Sequence, residues 1–186
     1  MDGIPPVLIG GADAADDPHR DDERDGPNVW RGGHMRLTGI SHTSFTVSDM
    51  EQSLGFYRDL LGMVVVGEVE REGEFIEQVV GFPKASLRIR GLKLPGGSDH
   101  ILELIEYRVP QGQRIDLRTC NPGSAHFCFV TDDIHSAYEE LSGKGVRFKS
   151  APVRIPSGPN AGGFDVYFLD PDGITLELSQ PPSTNS

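Results

Sequence analysis

The sequence of 186 residues has few cysteines, few basic residues and no long apolar run, and each scarcity excludes a class of protein. Two cysteines cannot form the disulfide framework of a small secreted domain, so we expect a cytoplasmic protein. The apolar run from Val7 to Ile9 is too short for a signal peptide, and no stretch is long enough to span a membrane. A net charge of −11 argues against nucleic acid and anionic membrane surfaces as partners.

Residues 1–34 differ in composition from the rest of the chain. They contain eight acidic residues and three arginines, a balance of −5 within the net charge of −11, and they lack apolar periodicity. We interpret them as an acidic, disordered leader, with Met35 as an alternative translational start, and residues 181–186 as a tail. The remainder, residues 35–180, is long enough for one domain or for two small modules that share a core.

One motif occurs twice in this remainder, with the copies 84 positions apart. His-Thr-Ser-Phe-Thr-Val, beginning at His42, aligns with His-Phe-Cys-Phe-Val-Thr, beginning at His126, and both copies lead into a helix start. Each copy alternates in the way that is typical of a strand with one buried face. Each copy is also followed by a glutamate on a later strand, Glu103 in the first and Glu177 in the second.

The periodic segments predict an α+β fold in which the order β-α-β-β-β occurs twice. Two modules, residues 35–108 and 124–180, are joined by a linker rich in proline and glycine, residues 109–123. In each module a helix covers the apolar face of a four-stranded sheet. The other faces are free to form a cupped, mostly antiparallel sheet around a site.

Three segments carry further local predictions. Ser48 and Glu51 have the spacing of a capping box, which predicts the start of the first helix. The pattern of residues 72–83 is ambiguous. Residues 151–163 form a loop rich in proline and glycine, long enough for a mobile flap over a site.

Four polar side chains lie opposite the predicted core and are candidates for a metal site: His42, Glu103, His126 and Glu177. They occupy the first and last strands of their modules, and they converge if these strands are central when the modules pack. Two imidazoles and two carboxylates suit one divalent ion, such as Zn, Ni, Co, Mn or Fe(II). The carboxylates neutralise its charge, and two positions remain for water or substrate oxygens.

The segments that surround these residues resemble the vicinal oxygen chelate superfamily. This superfamily includes glyoxalase I, methylmalonyl-CoA epimerase, extradiol dioxygenases, and fosfomycin and bleomycin resistance proteins. The resemblance covers about residues 36–180 and rests on F-Y-R-D-L-L-G-M, I-L-E-L-I-E-Y, A-H-F-C-F-V-T-D-D-I and F-L-D-P-D-G-I-T-L-E-L. It implies metal ligands at the same four positions. It also implies a homodimer, because family members often build each cup by dimerising or by exchanging modules.

The resemblance further implies a metal-dependent isomerase, epimerase or lyase for a small organic substrate, with a thioester among the candidates. The metal would bind carbonyl or enediolate oxygens, and a ligand carboxylate, Glu177 or Glu103, would move the proton α to the carbonyl. Thr46 and Tyr107 stand where bacterial glyoxalase I has an arginine and an asparagine. These two differences argue against a glutathione hemithioacetal as the substrate.

Two alternatives to this function stay open. Extradiol dioxygenases hold Fe(II) with two histidines and one glutamate, which His42, His126 and Glu177 would supply. Glu103 disfavours that chemistry, because the corresponding position need not hold a carboxylate in the dioxygenases. A protein similar to the bleomycin resistance proteins would bind a ligand in the cup without catalysis, but such a protein has no need of a metal.

A few further side chains are candidates for contact with substrate. Arg88 and Arg90 share a strand face, which we expect to be solvated, although they could also hold a carboxylate or a phosphate. Cys128 follows His126 on the same face, where we expect it to be a small buried apolar residue. In and beside the linker, an anionic substrate tail would meet Arg108, Arg114 and Arg118.

Overall fold

The computed structural model describes residues 38–96 and 99–183, which form two β-sheets and the helices that pack against them. The predicted leader, Met35 and residues 184–186 of the predicted tail lie outside these residues. In the part that the structure describes, no helix is long and apolar enough to cross a membrane.

The first sheet has four strands: β1 (His42–Val47), β2 (Val64–Glu72), β3 (Ser86–Lys93) and β4 (Ile101–Val109). Their order across the sheet is β1-β4-β3-β2. β1 and β4 pair in parallel, whereas the other two pairs are antiparallel. The first and last strands of the module are therefore neighbours, as the predicted site requires.

The second sheet repeats this arrangement with five strands: β5 (His126–Val130), β6 (Arg147–Phe148), β7 (Val153–Arg154), β8 (Phe164–Leu169) and β9 (Thr175–Gln180). Its order is β5-β9-β8-β6, and β7 also pairs with β8. β5 and β9 are parallel, and the remaining pairs are antiparallel. The predicted α+β fold with two similar modules is confirmed. β7 lies within the loop that is predicted to be a flap.

The first helix lies against the core and spans two helical types. It begins as α1 (Met50–Leu54) and continues as a π-helical segment (Gly55–Leu60). Its buried stripe contains Met50, Leu54 and Tyr57. In the second module the corresponding helix is α3 (Ile134–Gly143), which Asp133 caps by accepting a hydrogen bond from the backbone N–H of Ser136.

The start of α1 differs from the predicted capping box. The cap is Asp49, whose carboxylate accepts a hydrogen bond from the backbone N–H of Gln52 at 3.0 Å. Ser48 instead donates its hydroxyl to Asp172 of the second module, and Glu51 pairs with a strand arginine. The prediction was wrong because both side chains that were assigned to the cap have tertiary partners.

A single apolar core joins the two modules. Phe45 of β1 and Phe127 of β5 meet edge to face, with their ring centroids 6.2 Å apart. The fully or nearly buried members of this core come from both modules, and they are Phe45, Val47, Met50, Leu54, Tyr57, Met63, Leu92, Leu102, Leu104, Phe129, Ile134, Leu141, Val166, Phe168, Leu176 and Leu178. The apolar faces of both sheets are therefore covered, as their alternation predicts.

A third helix, α2 (Glu74–Val80), occupies the segment whose sequence pattern is ambiguous. Its Ile76 packs with Ala85 and Leu87 in a second, smaller apolar cluster, which Ile105 and other partly buried residues surround. Ile105 alternates with the core residues of β4, so α2 lies on the same face of the sheet as Glu103. The first module therefore carries a helix on each face of its sheet.

Candidate metal centre

The four predicted ligands form two histidine–glutamate pairs, one on each sheet. His42 Nε2 lies 3.5 Å from Glu103 Oε2, and His126 Nε2 lies 3.0 Å from Glu177 Oε2. Each pair bridges the parallel first and last strands of its module, and alternation directs both side chains away from the core. The histidine side chains are 45% and 42% exposed, and the glutamates are 27% and 14% exposed. Both pairs are therefore open to an ion and a substrate.

The two pairs do not come together within one chain. Among residues 38–96 and 99–183, no group of three or more His, Cys, Asp or Glu side chains is placed to hold a metal ion. The reason is the way the modules pack: Phe45 and Phe129 are in the shared core, and each lies on the strand face opposite the histidine. Each pair is thus half of the predicted donor set, and both halves lie on faces opposite this core.

Two serine hydroxyls contact the first pair. Ser44 Oγ donates a hydrogen bond to Glu103 Oε2 at 3.1 Å, and Ser41 Oγ lies 3.1 Å from His42 Nδ1. The residue beside Glu103 on β3 is Gly91, so no side chain from that strand crowds the carboxylate. The sequence pattern predicts the pair but gives no signal for these serine contacts.

The second pair is more enclosed. Burial and the charge of Asp165 raise the pKa of Glu177, while His126 opposes the shift. Cys128 is the neighbour of Glu177 across the strands, and it is exposed, which corrects the prediction of a buried residue. Partial desolvation against the sheet, together with the charge of Glu177, raises the pKa of Cys128 to about 12. The thiol therefore stays protonated at neutral pH. The ring of Tyr167 lies 5.1 Å from that of His126.

The turn D-P-D-G of the second module fastens it to the first helix. Asp170 is buried, and its Oδ2 accepts a hydrogen bond from the Tyr57 hydroxyl at 2.9 Å. Its Oδ1 accepts hydrogen bonds from the backbone N–H groups of Asp172 and Ile174 at 2.9 and 2.7 Å. Asp172 in turn accepts from the backbone N–H of Ser48 at 2.8 Å. Sequence reasoning predicts only a tight turn here and misses this contact between the modules.

The strand arginines are not a solvated pair, which corrects the expectation from the sequence. Arg90 is 8% exposed and contacts Glu70 at 3.1 Å and Glu68 at 3.4 Å. Arg88 pairs with Glu51 at 2.7 Å, and this contact is the main reason that its pKa is raised. These ion pairs between α1, β2 and β3 occupy both guanidinium groups, so neither is available to an anionic ligand without the loss of protein contacts.

A cavity of about 820 Å³ is lined by Ser44, whose hydroxyl contacts Glu103 of the first pair. Its walls come from the ends of β1 and β4, from the linker and from the D-P-D-G turn. Residues along it include Ser44, Thr46, Tyr107, Arg108, Arg114 and Asp172. Its volume is that of a typical site for a small organic ligand.

Comparison with known proteins identifies the family to which this fold belongs. The model of the Glyoxalase/Bleomycin resistance protein/Dioxygenase superfamily matches residues 39–178. This chain therefore belongs to that superfamily.

Two relatives and one solved structure are similar to the chain. A 2-epi-5-epi-valiolone epimerase from an Actinomyces species is 31% identical over 148 residues, which cover 77% of this chain and 80% of that protein. A lactoylglutathione lyase from Schizosaccharomyces pombe is 29% identical over 81% of this chain and 50% of that protein. The structure of a glyoxalase family protein from Bacillus cereus superposes on this chain with a TM-score of 0.65 at 20% identity. The superposition covers 80% of this chain and 97% of that protein.

Proposed function

We propose that this chain is a divalent-metal-dependent enzyme of the glyoxalase type, an isomerase, epimerase or lyase that acts on a small organic substrate. The observation that carries the proposal is the pair of histidine–glutamate contacts at matching places in the two modules. Relatives named as an epimerase and as a lyase support the reaction class. A thioester is among the candidate substrates.

The donor atoms suit one ion of the size of Zn, Ni, Co, Mn or Fe(II). Imidazole nitrogens and carboxylate oxygens are donors that these ions accept. In each pair the two donor atoms lie close together, 3.5 Å apart in the first pair and 3.0 Å apart in the second. His42, Glu103, His126 and Glu177 would hold the ion, and the two carboxylates would neutralise its charge.

A homodimer would unite the two halves of the donor set. Each sheet carries one histidine–glutamate pair on the face opposite the core. The first pair of one protomer can therefore meet the second pair of its partner. Two-fold symmetry would then make two equivalent sites. Because the pairs are on faces opposite the shared core, this association leaves the fold of each chain unchanged.

When bound, the ion would polarise a substrate carbonyl and stabilise the negative charge that develops on its oxygen. Glu177 accepts the proton from the carbon α to that carbonyl and returns it, a role that follows from the resemblance to glyoxalase I. It is the more buried of the two carboxylates, and a carboxylate with little water around it is a stronger base. Glu103 is the second candidate for this role.

The proposed base is tested by separating metal binding from proton transfer. His126→Ala should lose most of the bound metal, whereas His135→Ala, a matched change at an exposed histidine outside the pairs, should keep it. Glu177→Gln keeps an oxygen ligand but cannot accept a proton, so α-proton exchange should fall by about 10² to 10⁴ with a much smaller loss of metal. Metal content and deuterium exchange are the two measurements. Wild-type exchange in a metal-loaded Glu177→Gln variant would show that Glu177 is only a ligand.

The shared site is tested by mixing two inactive proteins. One carries His42→Ala with Glu103→Gln, and the other carries His126→Ala with Glu177→Gln. If each site combines pairs from two protomers, every mixed dimer contains one intact set, and co-expression should restore about a quarter of the wild-type metal. No recovery in mixed dimers isolated with two affinity tags would refute the shared site. Oxygen consumption with Fe(II) and no α-proton exchange would favour a dioxygenase instead.

A further inference from the structure

We propose that Ser44 and Cys128, which occupy matching positions in the two modules, give the two glutamates of the donor set different roles. Ser44 holds Glu103 in place as a permanent ligand, and Cys128 leaves Glu177 free to detach from the ion and accept the proton. The inference rests on the proposed function, because it concerns the ion and the proton transfer that are proposed there. It gives a reason within this chain for the choice of base, which otherwise follows from resemblance and burial.

The two residues are equivalent both in sequence and in strand register. Each lies two residues after the histidine of its module, and therefore on the same strand face as that histidine. In the parallel pairing of the first and last strands, Ser44 is the neighbour of Glu103, and Cys128 is the neighbour of Glu177. The repeat thus places one short donor side chain beside each carboxylate, a hydroxyl in the first module and a thiol in the second.

The hydroxyl of Ser44 restrains its carboxylate directly. It donates a hydrogen bond to Glu103 Oε2 at 3.1 Å, and the same oxygen lies 3.5 Å from His42 Nε2. A carboxylate oxygen has two lone pairs, so Glu103 Oε2 can bind an ion with one of them while it accepts from Ser44 with the other. To leave the ion and reach a substrate, this oxygen would also have to break the hydrogen bond with the hydroxyl. Ser44 therefore favours Glu103 as a ligand that stays in place.

The thiol of Cys128 restrains its carboxylate much less. A thiol is a weak hydrogen-bond donor. Its single proton is also divided between Glu177 and the backbone carbonyl of Phe129, whose oxygen lies 3.7 Å from the Cys128 sulfur. Glu177 therefore detaches from the ion at a lower cost in free energy than Glu103, and a detached carboxylate is the group that can accept a proton.

The first test measures the affinity for Zn²⁺, without substrate, by competition with a chelator. Ser44→Ala should weaken Zn²⁺ binding about 10- to 100-fold, the usual effect of losing a hydrogen bond to a metal ligand. Ser44→Thr keeps the hydroxyl and should bind Zn²⁺ nearly as the wild type does. Cys128→Ala should weaken binding less than Ser44→Ala, because the thiol is the poorer donor. Ser142→Ala, at an exposed serine of α3 outside both pairs, is the matched control and should bind as the wild type does.

A double-mutant cycle shows whether Ser44 acts through Glu103. In a Glu103→Gln background, Ser44→Ala should change the Zn²⁺ affinity much less than in the wild type, because the charged acceptor of the hydroxyl is already gone. An equal loss in both backgrounds would overturn the inference, since Ser44 would then act on the module and not on the ligand. Wild-type affinity in Ser44→Ala would overturn it as well.

The second test swaps the two donors and follows the roles of the glutamates. The swapped protein carries Ser44→Cys with Cys128→Ser, and the measurement is deuterium uptake at the α-carbon of hydroxyacetone, a small ketone with two adjacent oxygens. In the wild-type background, Glu177→Gln should lose more activity than Glu103→Gln. In the swapped background the ratio of these two losses should fall about 10- to 100-fold, because a hydrogen bond to a charged acceptor has moved from one carboxylate to the other.

The outcomes separate the two ways of failing. An unchanged ratio in the swapped protein would overturn the inference and leave the proposed function intact. A wild type that binds no Zn²⁺ would refute the proposed function and, with it, this inference.

Discussion

The hydroxyl of Tyr57 joins the modules, and its removal should destabilise the fold measurably. Tyr57→Phe deletes only the oxygen that donates to Asp170 Oδ2 at 2.9 Å and leaves the ring in the core. A hydrogen bond to a charged acceptor contributes about 1.5–3 kcal/mol, and the site is buried on both sides. We therefore expect the free energy of unfolding to fall by about 2 kcal/mol.

Two substitutions of Asp170, the acceptor of the Tyr57 hydroxyl, make this prediction specific. Asp170→Ala removes the acceptor of the Tyr57 hydroxyl and of two backbone N–H groups, so it should cost more than Tyr57→Phe, about 3 kcal/mol or more. Asp170→Asn keeps an oxygen for the two backbone groups and can donate its amide to the Tyr57 oxygen, so its loss should be the smallest of the three.

Urea denaturation followed by circular dichroism gives the three free energies, provided that the slope of the transition is unchanged. A loss below about 0.5 kcal/mol for Tyr57→Phe would show that the contact contributes little. A loss larger than that of Asp170→Ala would refute the reasoning, because the aspartate has more partners than the tyrosine.

Three other predictions concern stability. Burial raises the pKa of Asp170, so the folded state binds the proton of this carboxyl more tightly than the unfolded state does. The stability of the wild type relative to Asp170→Asn should therefore increase as the pH falls from 7 toward about 4, as measured by urea titration. Deletion of residues 1–34 should leave the melting temperature nearly unchanged in a thermal scan, and a drop of several degrees would contradict the acidic leader. Gly163→Ala should destabilise strongly, since its Cβ would lie within 3.0 Å of the Gln180 carbonyl oxygen, whereas Gly55→Ala meets no neighbour and should be tolerated in the same scan.

Alternation along the strands was enough to predict the strand faces on which the two histidine–glutamate pairs lie, but not how the modules associate. In the pattern, His42 and Glu103 lie on the strand face opposite Phe45 and Leu104. The structure places the histidine and the glutamate on the more exposed face, and it places Phe45 and Leu104 in the core. The pattern defines the faces of each sheet, whereas the packing of one module on the other depends on contacts between distant residues. Tyr57 is one such residue, because its position on the helix stripe predicts burial but not a partner in the second module.

Local sequence patterns did not predict the structure correctly where a side chain has a partner far away in the sequence. They also failed where both faces of a helix carry apolar residues. In α2, Ile76 faces the sheet while Phe75 and Val79 are exposed, so the periodicity of this helix is blurred. Arg90 alternates as a surface residue should, yet acidic side chains of the neighbouring strand cover it. The capping box failed for a similar reason, since its serine contacts the second module.

The parallel pairing of the first and last strands has a consequence for how each module is made. The two members of a histidine–glutamate pair are 61 positions apart in the first module and 51 in the second. Contacts over such separations form late in folding, because the intervening chain must be ordered before they are gained. Until β4 or β9 has been added, its module offers an ion only a lone histidine. An ion that binds a completed pair would therefore stabilise the closure of a whole module, and its affinity would report whether synthesis and folding of that module are complete.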